Sequence, residues 1–162
     1  MYHTADDVAT WYTFYVAVIY SSDHYSVESA EQPHIDRNDG GHVFIRPKVE
    51  ISDRTKLSPS LAKELMMLTM VTGDAMATAL KRQGIDIARI NYQENGNWQP
   101  TLHIHVYGRA KSAKIQKYGD ALYFPGKETG FYTPFQPLTK QDVLEIRKDM
   151  LRLLKSKKYR GF

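Results

Sequence analysis

The segment TLHIHVYGR, residues 101–109, carries the side chains of this sequence that are best suited to chemistry. Alternate side chains of a β-strand point to opposite faces, so Thr101, His103, His105 and Tyr107 would share one face, opposite an apolar face. The Cα atoms of two histidines so spaced lie about 6.5–7 Å apart, within reach of one ligand. Such a pair can bind a metal ion, act together on an anion, or simply form a polar sheet surface.

A catalytic metal site needs three protein ligands, and a His-x-His pair on a strand supplies two of them. The third could be His24, His34 or His42. The sequence has no cysteine, no His-Glu-x-x-His motif and no carboxylate close to the pair in sequence, so we expect no metal and no cofactor. Two imidazoles preceded by a polar, amide-bearing turn instead favour a phosphate pocket, in which a neutral imidazole can attack phosphorus without a metal.

Composition sets limits on the class of protein. A chain of 162 residues that is 42% hydrophobic is suited to one domain with a substantial core. It shows no signal-peptide pattern and no long apolar run, so we expect a cytoplasmic protein with no membrane partner. The net charge of +4 favours a small anionic partner over nucleic acid. The basic cluster near the C-terminus is typical of a solvated helix end. It consists of Lys155, Lys157, Lys158 and Arg160.

The elements that must position the histidines are mainly strands. Three further segments have the pattern of strands: residues 24–29, 42–46 and 87–92. The turn sequence Asn95-Gly96 before the histidine segment indicates that the last of these pairs with it in antiparallel fashion. Residues 8–20 begin like a helix and continue like a strand. Residues 111–137 have the composition of loops, with a short strand predicted at 122–124.

Two helices are predicted. The first runs over residues 58–83, with Ser58 as the N-cap and Gly84 closing the helix. Its methionines are interpreted as core residues. They are Met66, Met67, Met70 and Met76. The second helix begins after Thr139, and Asp142 is placed to complete a capping box.

The segment NYQENGNWQPTLHIHVYGR resembles the signature of the histidine-triad (HIT) superfamily. In that family an Asn-bearing strand and a polar turn lead into His-x-His-x-His on the next strand. GGHVFIRPK followed by LSPSLAKELMML resembles the family's Gly-His strand, Pro-Lys turn and central helix, in the same order. The resemblance covers residues 33–109. This chain departs from the pattern at the first triad position, where it has Thr101.

The resemblance implies an α+β fold, in which an antiparallel sheet of about five strands carries one main helix and a C-terminal helical extension. We expect a single domain over residues 1–162, with its core at about 24–110 and the extension at about 111–162. Many members of the family pair through the main helix and a sheet edge. A homodimer is therefore expected.

The resemblance also implies roles for individual residues. His103 occupies the position of the nucleophile, oriented by the Thr101 carbonyl, while His105 and Asn97 occupy the positions that contact phosphate. The remaining positions are expected to bind the substrate. They are Asn91, Pro33, His34, Ile35, His42, Phe44, Trp98 and Thr101.

The implied activity is that of a nucleotide hydrolase or nucleotidyl transferase, similar to the diadenosine polyphosphate hydrolases. It would cleave at the α-phosphate of an adenine nucleotide, a dinucleoside polyphosphate or a phosphoramidate, through a nucleotidyl-histidine. Two alternatives remain open. One is a non-catalytic nucleotide-binding module, in which Thr101 accompanies a loss of turnover, and the other is a nucleic-acid-binding protein that uses the basic C-terminal cluster.

Overall fold

The computed structural model describes residues 17–160 and has an α+β architecture, as expected. Five strands form one antiparallel sheet: β1 (Val18–Ser21), β2 (Tyr25–Ser29), β3 (His42–Pro47), β4 (Ile87–Gln93) and β5 (Ile104–Ala110). Their spatial order is β1-β2-β3-β5-β4, so the histidine-bearing strand β5 lies between β3 and β4. Two α-helices follow the order of the chain: α1 (Pro59–Arg82) and α2 (Lys140–Leu154). Of the segment predicted as helix and then strand, β1 is the observed strand, and residues 8–16 lie outside the described residues.

The core lies between one face of the sheet and the helices. Val43 on β3 and Ile104 and Val106 on β5 are buried in a single apolar cluster with Leu68 and Leu80 of α1. Burying a side chain of this size contributes roughly 1.5–3 kcal/mol. Because side chains alternate along a strand, the histidines of β3 and β5 point to the face that is opposite this core.

The ends of α1 agree with the prediction. The Ser58 hydroxyl accepts a hydrogen bond from the Leu61 N–H at 3.3 Å, and Pro59 occupies the first turn. Gly84 follows the C-cap with a φ of +83°, a conformation that glycine adopts without strain. None of the helices among residues 17–160 is long and apolar enough to cross a bilayer.

The methionines of α1 divide between two faces. Met76 is fully buried, as predicted, but the prediction is wrong for Met66 and Met70, which are 54% and 36% exposed. Met66, Met70 and Gly73 recur every three to four positions and so lie along one face of α1. The Met66 and Met70 side chains are turned away from the core, whereas Gly73 is buried. The Tyr92 side chain lies against Gly73 and is itself 46% exposed. Met66, Met70 and Tyr92 together form an exposed apolar surface, called the methionine stripe below.

The histidine strand begins later than predicted. β5 starts at Ile104, opposite Ile45, and residues 101–103 precede it. The physical reason is the partner strand: β3 ends at Pro47, which has no N–H to donate, and the Leu102 N–H is instead bonded to the Ile51 carbonyl beyond β3 at 2.7 Å. His103 therefore lies immediately before the first residue of β5 and not within the sheet.

Two glycines before β3 allow the chain to pass very close to β5. Gly40 and Gly41 have φ values of 133° and 76°, which other residues rarely adopt. A side chain on Gly40 or on Gly108 would overlap the backbone of the other. The Gly108 N–H also bonds the Gly41 carbonyl at 3.2 Å. This close approach fixes the position of His42 directly beside β5.

Residues 113–138, called the strap below, run across the histidine face of the sheet. The buried carboxylate of Asp39 accepts hydrogen bonds from three successive strap N–H groups, each at 2.8 Å. The Arg109 guanidinium donates to the carbonyls of Lys117 at 2.6 Å and Asp120 at 3.0 Å. Charge-assisted hydrogen bonds of this kind contribute roughly 1.5–3 kcal/mol each. The first part of the strap is therefore firmly attached to the sheet.

The far end of the strap and the start of α2 are attached to the same loop. Asp36 accepts a hydrogen bond from the Gln136 N–H at 2.7 Å. Arg37 pairs with Asp142 through two bonds of 2.6 and 2.9 Å. Asp142 also completes the predicted capping box with Thr139. The loop before β3 thus fixes both ends of the strap.

The strand predicted at residues 122–124 is wrong. No strand forms there among the described residues, because the Gln116 side chain supplies the bonds that a neighbouring strand would supply. Its amide nitrogen donates to the Tyr123 carbonyl at 2.7 Å, and its oxygen accepts from the Tyr123 N–H at 3.1 Å. The strap is held by side chains rather than by a ladder of backbone bonds.

Candidate functional site

A cavity of about 920 Å³ opens on the histidine face of the sheet. Eight of the residues predicted to form the site line it: His34, His42, Phe44, Asn97, Trp98, Thr101, His103 and His105. The register explains this convergence, because His42 lies opposite Tyr107 and Phe44 lies opposite His105. Directly opposed residues of antiparallel strands share a face.

Three predicted site residues do not line the cavity. Pro33 and Ile35 are buried, and Ile35 is part of the hydrophobic interior. Asn91 lies on the histidine face, opposite Tyr107, but its side-chain oxygen accepts a hydrogen bond from Arg109 at 2.9 Å. Asn91 therefore supports the residue that anchors the strap.

His103 has one ring nitrogen engaged and the other directed away from that bond. Its Nδ1 lies 2.7 Å from the Thr101 carbonyl oxygen, which can only accept, so Nδ1 carries the proton. In the neutral ring Nε2 then has a free lone pair. The His105 ring meets the His103 ring edge to face, with centroids 4.6 Å apart. A nucleophilic nitrogen thus stands beside a second imidazole.

A chain of hydrogen bonds sets the tautomers of the other two histidines. The His34 backbone N–H donates to His42 Nδ1 at 3.2 Å, so neutral His42 carries its proton on Nε2. That N–H faces His105 Nδ1 at 2.9 Å and donates to it. His105 must then carry its own proton on Nε2. A backbone amide thereby determines that His105 offers an N–H donor on the side of the ring away from His42.

Burial keeps these imidazoles neutral. Desolvation, together with the neighbouring His103 and His34, lowers the pKa of His105 to about 3. Desolvation also holds the pKa of His42 well below its usual range, aided by His105, His34 and His103. For His34, desolvation followed by the charge of Lys127 and the proximity of His103 lowers the pKa to about 4. The hydrogen bonds that run from the His34 N–H through His42 to His105, called the tautomer chain below, therefore persist throughout the neutral pH range.

His34 is surrounded by rings from both the sheet and the strap. Its Nδ1 lies 2.9 Å from the Tyr107 hydroxyl. The rings of Trp98, Phe124 and Tyr132 have centroids 5.6, 5.6 and 5.3 Å from that of His34. His34 thus forms an aromatic floor of the cavity where the strap meets the sheet.

His34, His42 and His105 also present ring nitrogens that lie within 4.8 Å of one another. Three imidazoles could supply the ligands of a zinc ion. However, the His42 and His105 nitrogens face each other in a hydrogen bond, and both rings would have to turn before their lone pairs could converge on an ion. The observed geometry is that of hydrogen-bonded imidazoles, and the absence of a metal requirement stays a prediction.

Sequence reasoning missed eleven residues of the cavity wall, four of which matter most for a substrate. Arg46 and Lys48 come from β3 and the loop after it, and Phe124 and Lys127 come from the strap. The alternation of β3 could have indicated Arg46, which shares a face with His42 and Phe44. No local pattern indicates the strap residues, because long-range hydrogen bonds place them.

Comparison with known proteins finds a family match and a shared fold. The HIT domain family matches residues 15–112, a longer segment than the one in which the motifs are visible. A HIT protein from Sinorhizobium meliloti 1021 is 14% identical, over 94% of this chain and 96% of that chain, with a TM-score of 0.61. A histidine triad protein from Marinobacter aquaeolei VT8 is 17% identical, over 96% and 97%, with a TM-score of 0.59.

A zinc-bound histidine triad family protein from Mycobacterium smegmatis is 19% identical, over 91% of each chain, with a TM-score of 0.55. At these identities the solved structures establish a shared fold. No curated protein matches the sequence.

Proposed function

Because the chain belongs to the HIT family, whose members are generally nucleotide hydrolases or nucleotidyl transferases, we propose that it transfers a nucleotidyl group through His103. The bond cleaved would be the one at the α-phosphate of an adenine dinucleotide or a nucleoside phosphoramidate. The observation that carries this proposal is the 2.7 Å bond from His103 Nδ1 to the Thr101 carbonyl, which leaves Nε2 as a lone-pair donor beside the cavity.

The reaction proceeds in two displacements. His103 Nε2 attacks the α-phosphorus, the nitrogen–phosphorus bond forms, and the bond to the leaving group breaks with its electron pair. A phosphate leaves as an anion, whereas the nitrogen of a phosphoramidate takes up a proton from solvent and leaves as an amine. Water then attacks the same phosphorus, the nitrogen–phosphorus bond breaks, and its electron pair returns to Nε2. The water proton passes to solvent, and the nucleoside monophosphate leaves. Covalent catalysis of this kind divides one difficult step into two easier ones.

His105 and Asn97 would hold the non-bridging phosphate oxygens. The tautomer chain leaves His105 with an N–H on Nε2, and Asn97 lines the same cavity with an amide. Negative charge grows on these oxygens in the transition state, and a donor already in place stabilises it without reorganisation. Loss of one such donor typically lowers kcat roughly 100- to 1000-fold.

Thr101 is compatible with catalysis despite its departure from the triad. The contact that orients His103 comes from the backbone carbonyl, which any residue at position 101 provides. A hydroxyl side chain therefore does not remove it. The orientation of His103 that nucleotidyl transfer requires is thus retained.

Nucleic-acid binding receives less support. Lys158 of the basic C-terminal cluster pairs with Asp74 of α1 at 2.5 Å, and the Tyr159 hydroxyl bonds the same carboxylate at 2.6 Å. These bonds attach the tail to the helix. The charge left for a phosphate backbone is correspondingly smaller.

The test is to trap the intermediate. A reaction with an adenine dinucleotide or phosphoramidate, stopped in alkali where phosphoramidates survive, should leave one AMP-sized adduct on the peptide that contains His103. The adduct should disappear in acid. His103→Ala should abolish both adduct and turnover, and His105→Ala should retain a trace of each. His24→Ala, an exposed histidine outside the cavity, is the matched control and should behave as the unmodified protein.

Two results would contradict the proposal. Mapping of the adduct to His42, or near-normal turnover in His103→Ala, would remove His103 from the chemistry. Tight binding of AMP with no cleavage of any dinucleotide or phosphoramidate would establish the non-catalytic module instead.

A further inference from the structure

The strap contributes to the cavity from outside the family match. That match ends at residue 112, yet Phe124 and Lys127 line the same cavity as His103 and His105. These two side chains therefore add contacts that the matched domain does not contain. A substrate bound at the histidines therefore shares its cavity with Phe124 and Lys127.

The cavity is electropositive, and its three buried histidines are not the cause. Its ionised lining residues are Arg46, Lys48 and Lys127 against the single carboxylate of Glu50. His34, His42 and His105 are neutral at pH 7, because burial lowers the pKa of each. The two lysines and the arginine therefore supply the permanent positive charge that attracts an anion.

Among the three cations that line the cavity, Lys127 has the fewest interactions with other residues. Arg46 pairs with Glu28 at 3.1 Å and lies over the Phe44 ring at 4.4 Å. The Lys48 ammonium donates to the Ser22 carbonyl. Within residues 17–160, Lys127 has no carboxylate at ion-pair distance, and its ammonium lies 5.9 Å from the centre of the Trp98 ring. Its charge is thus available to a ligand.

The backbone that carries Lys127 is held in place by hydrogen bonds of the strap. The strap is fixed at one end by Asp39 and Arg109 and at the other by Asp36. Between them, the Tyr132 hydroxyl bonds the Pro125 carbonyl at 3.0 Å, next to the turn that carries Lys127. A cation on a rigid support loses less entropy when it binds a phosphate. The Lys127 ammonium is also close enough to His34 that its charge contributes to the lowered pKa of His34.

We propose that Lys127 forms a second anion subsite, which binds a phosphate of the substrate other than the one attacked by His103. The preferred leaving group would then carry phosphate, as in a dinucleoside polyphosphate, and would not be a neutral amine. This inference rests on the proposed function. A phosphate leaving group departs with the electron pair of the broken bond, and a nearby ammonium stabilises the negative charge that results.

The test compares two substrates and two strap lysines. Lys127→Met removes the charge and keeps an unbranched chain against Trp98. Lys117→Met is the matched control, since Lys117 is exposed on the same strap and does not line the cavity. For a diadenosine triphosphate, Lys127→Met should lower kcat/KM roughly 10- to 100-fold, the range for loss of a charge-assisted contact. For adenosine 5′-phosphoramidate, with ammonia as the leaving group, it should change less than about threefold, since that substrate makes no such contact.

Lys127→Arg should recover most of the activity towards the triphosphate, because it restores the charge. The control Lys117→Met should leave both substrates unchanged. An equal loss on both substrates in Lys127→Met, or no loss on either, would overturn the inference.

A binding measurement separates this inference from the proposed function. Calorimetric titration with inorganic tripolyphosphate needs no turnover, and Lys127→Met should weaken that binding at least about tenfold relative to Lys117→Met. If the protein cleaves none of the nucleotide substrates, and tripolyphosphate binding is nevertheless weakened by Lys127→Met, the proposed function fails and the subsite stands. If cleavage proceeds through His103 and tripolyphosphate binding is unchanged by Lys127→Met, the subsite fails and the proposed function stands.

Discussion

Acidification from pH 7 to 5.5 should destabilise the protein through its buried histidines. His42 and His105 are only 3% and 8% exposed, and burial lowers the pKa of both far below the unfolded value of 6.5. As pH falls below 6.5 the unfolded chain binds protons that the folded chain does not. The stability that depends on neutral His42 and His105 is therefore fully present above pH 6.5, and it declines steadily as pH falls towards the folded-state pKa values of these two residues.

The size of the loss follows from the shift. Each fully buried histidine removes about 1.3 kcal/mol between pH 7 and 5.5, so His42 and His105 together remove about 2.5 kcal/mol. His34, whose pKa is about 4, contributes less than a full share because it is only half-buried and solvent screens it. The carboxylates titrate mainly below this window. The total is a large part of the 5–15 kcal/mol typical of a domain.

The assay is urea unfolding followed by circular dichroism at pH 7.0, 6.5, 6.0 and 5.5. His105→Asn is the informative variant, because the Asn oxygen can still accept the bond from His42 while the titrating ring is gone. Its unfolding free energy should fall by about 1.3 kcal/mol less than that of the unmodified protein over the same pH range. A stability that is flat between pH 7 and 5.5, or an unchanged pH dependence in His105→Asn, would refute the reasoning about neutral, buried imidazoles.

Three further outcomes are expected. EDTA should leave turnover unchanged once any magnesium bound by the substrate is controlled, because the site acts through imidazole and amide groups. A loss of activity that stoichiometric zinc restores would show instead that His34, His42 and His105 bind a catalytic ion. His34→Ala should raise KM more than it lowers kcat, because a residue that only binds the substrate serves ground and transition states alike. Steady-state kinetics with an equal fall in kcat and kcat/KM would place His34 in the chemistry. A homodimer should form through the methionine stripe and the edge strand β4, so light scattering should show a dimer that Met66→Lys converts to monomer. Lys148→Ala, at an exposed position on α2, should leave the dimer intact, and a monomer before mutation would contradict this assignment.

Much of the fold was predictable because its signals are local. The N-cap at Ser58, the glycine that follows α1 and the capping box of Thr139 and Asp142 depend on residues within four positions of one another. The alternation of β5 likewise predicted which side chains enter the core and which join the histidine face. Such features form the same contacts in any tertiary setting, so a sequence reports them directly.

The burial of a side chain was predictable only where a single neighbouring element covers that side of its helix or strand. Met76 and Met66 have the same side chain on the same helix, yet one is fully buried and the other is exposed. Composition cannot distinguish them, since the difference depends on where the sheet and α2 lie around α1. The late start of β5 has the same origin, because it depends on where the partner strand reaches Pro47.

The sequence by itself determined which histidines could act together, since His103 and His105 are two positions apart in the chain and the Gly-His motif lies at the start of another strand. Only the tertiary structure decided their chemical state: the tautomer of His105 depends on a backbone N–H at His34, 71 positions away along the chain, through His42. Only the tertiary structure likewise placed Lys127 at the cavity, through bonds from Asp39, Asp36 and Arg109 that span the sheet. The physical reason is that hydrogen-bond polarity and electrostatic environment are properties of atoms in contact, and residues distant in sequence come into contact only when the chain folds.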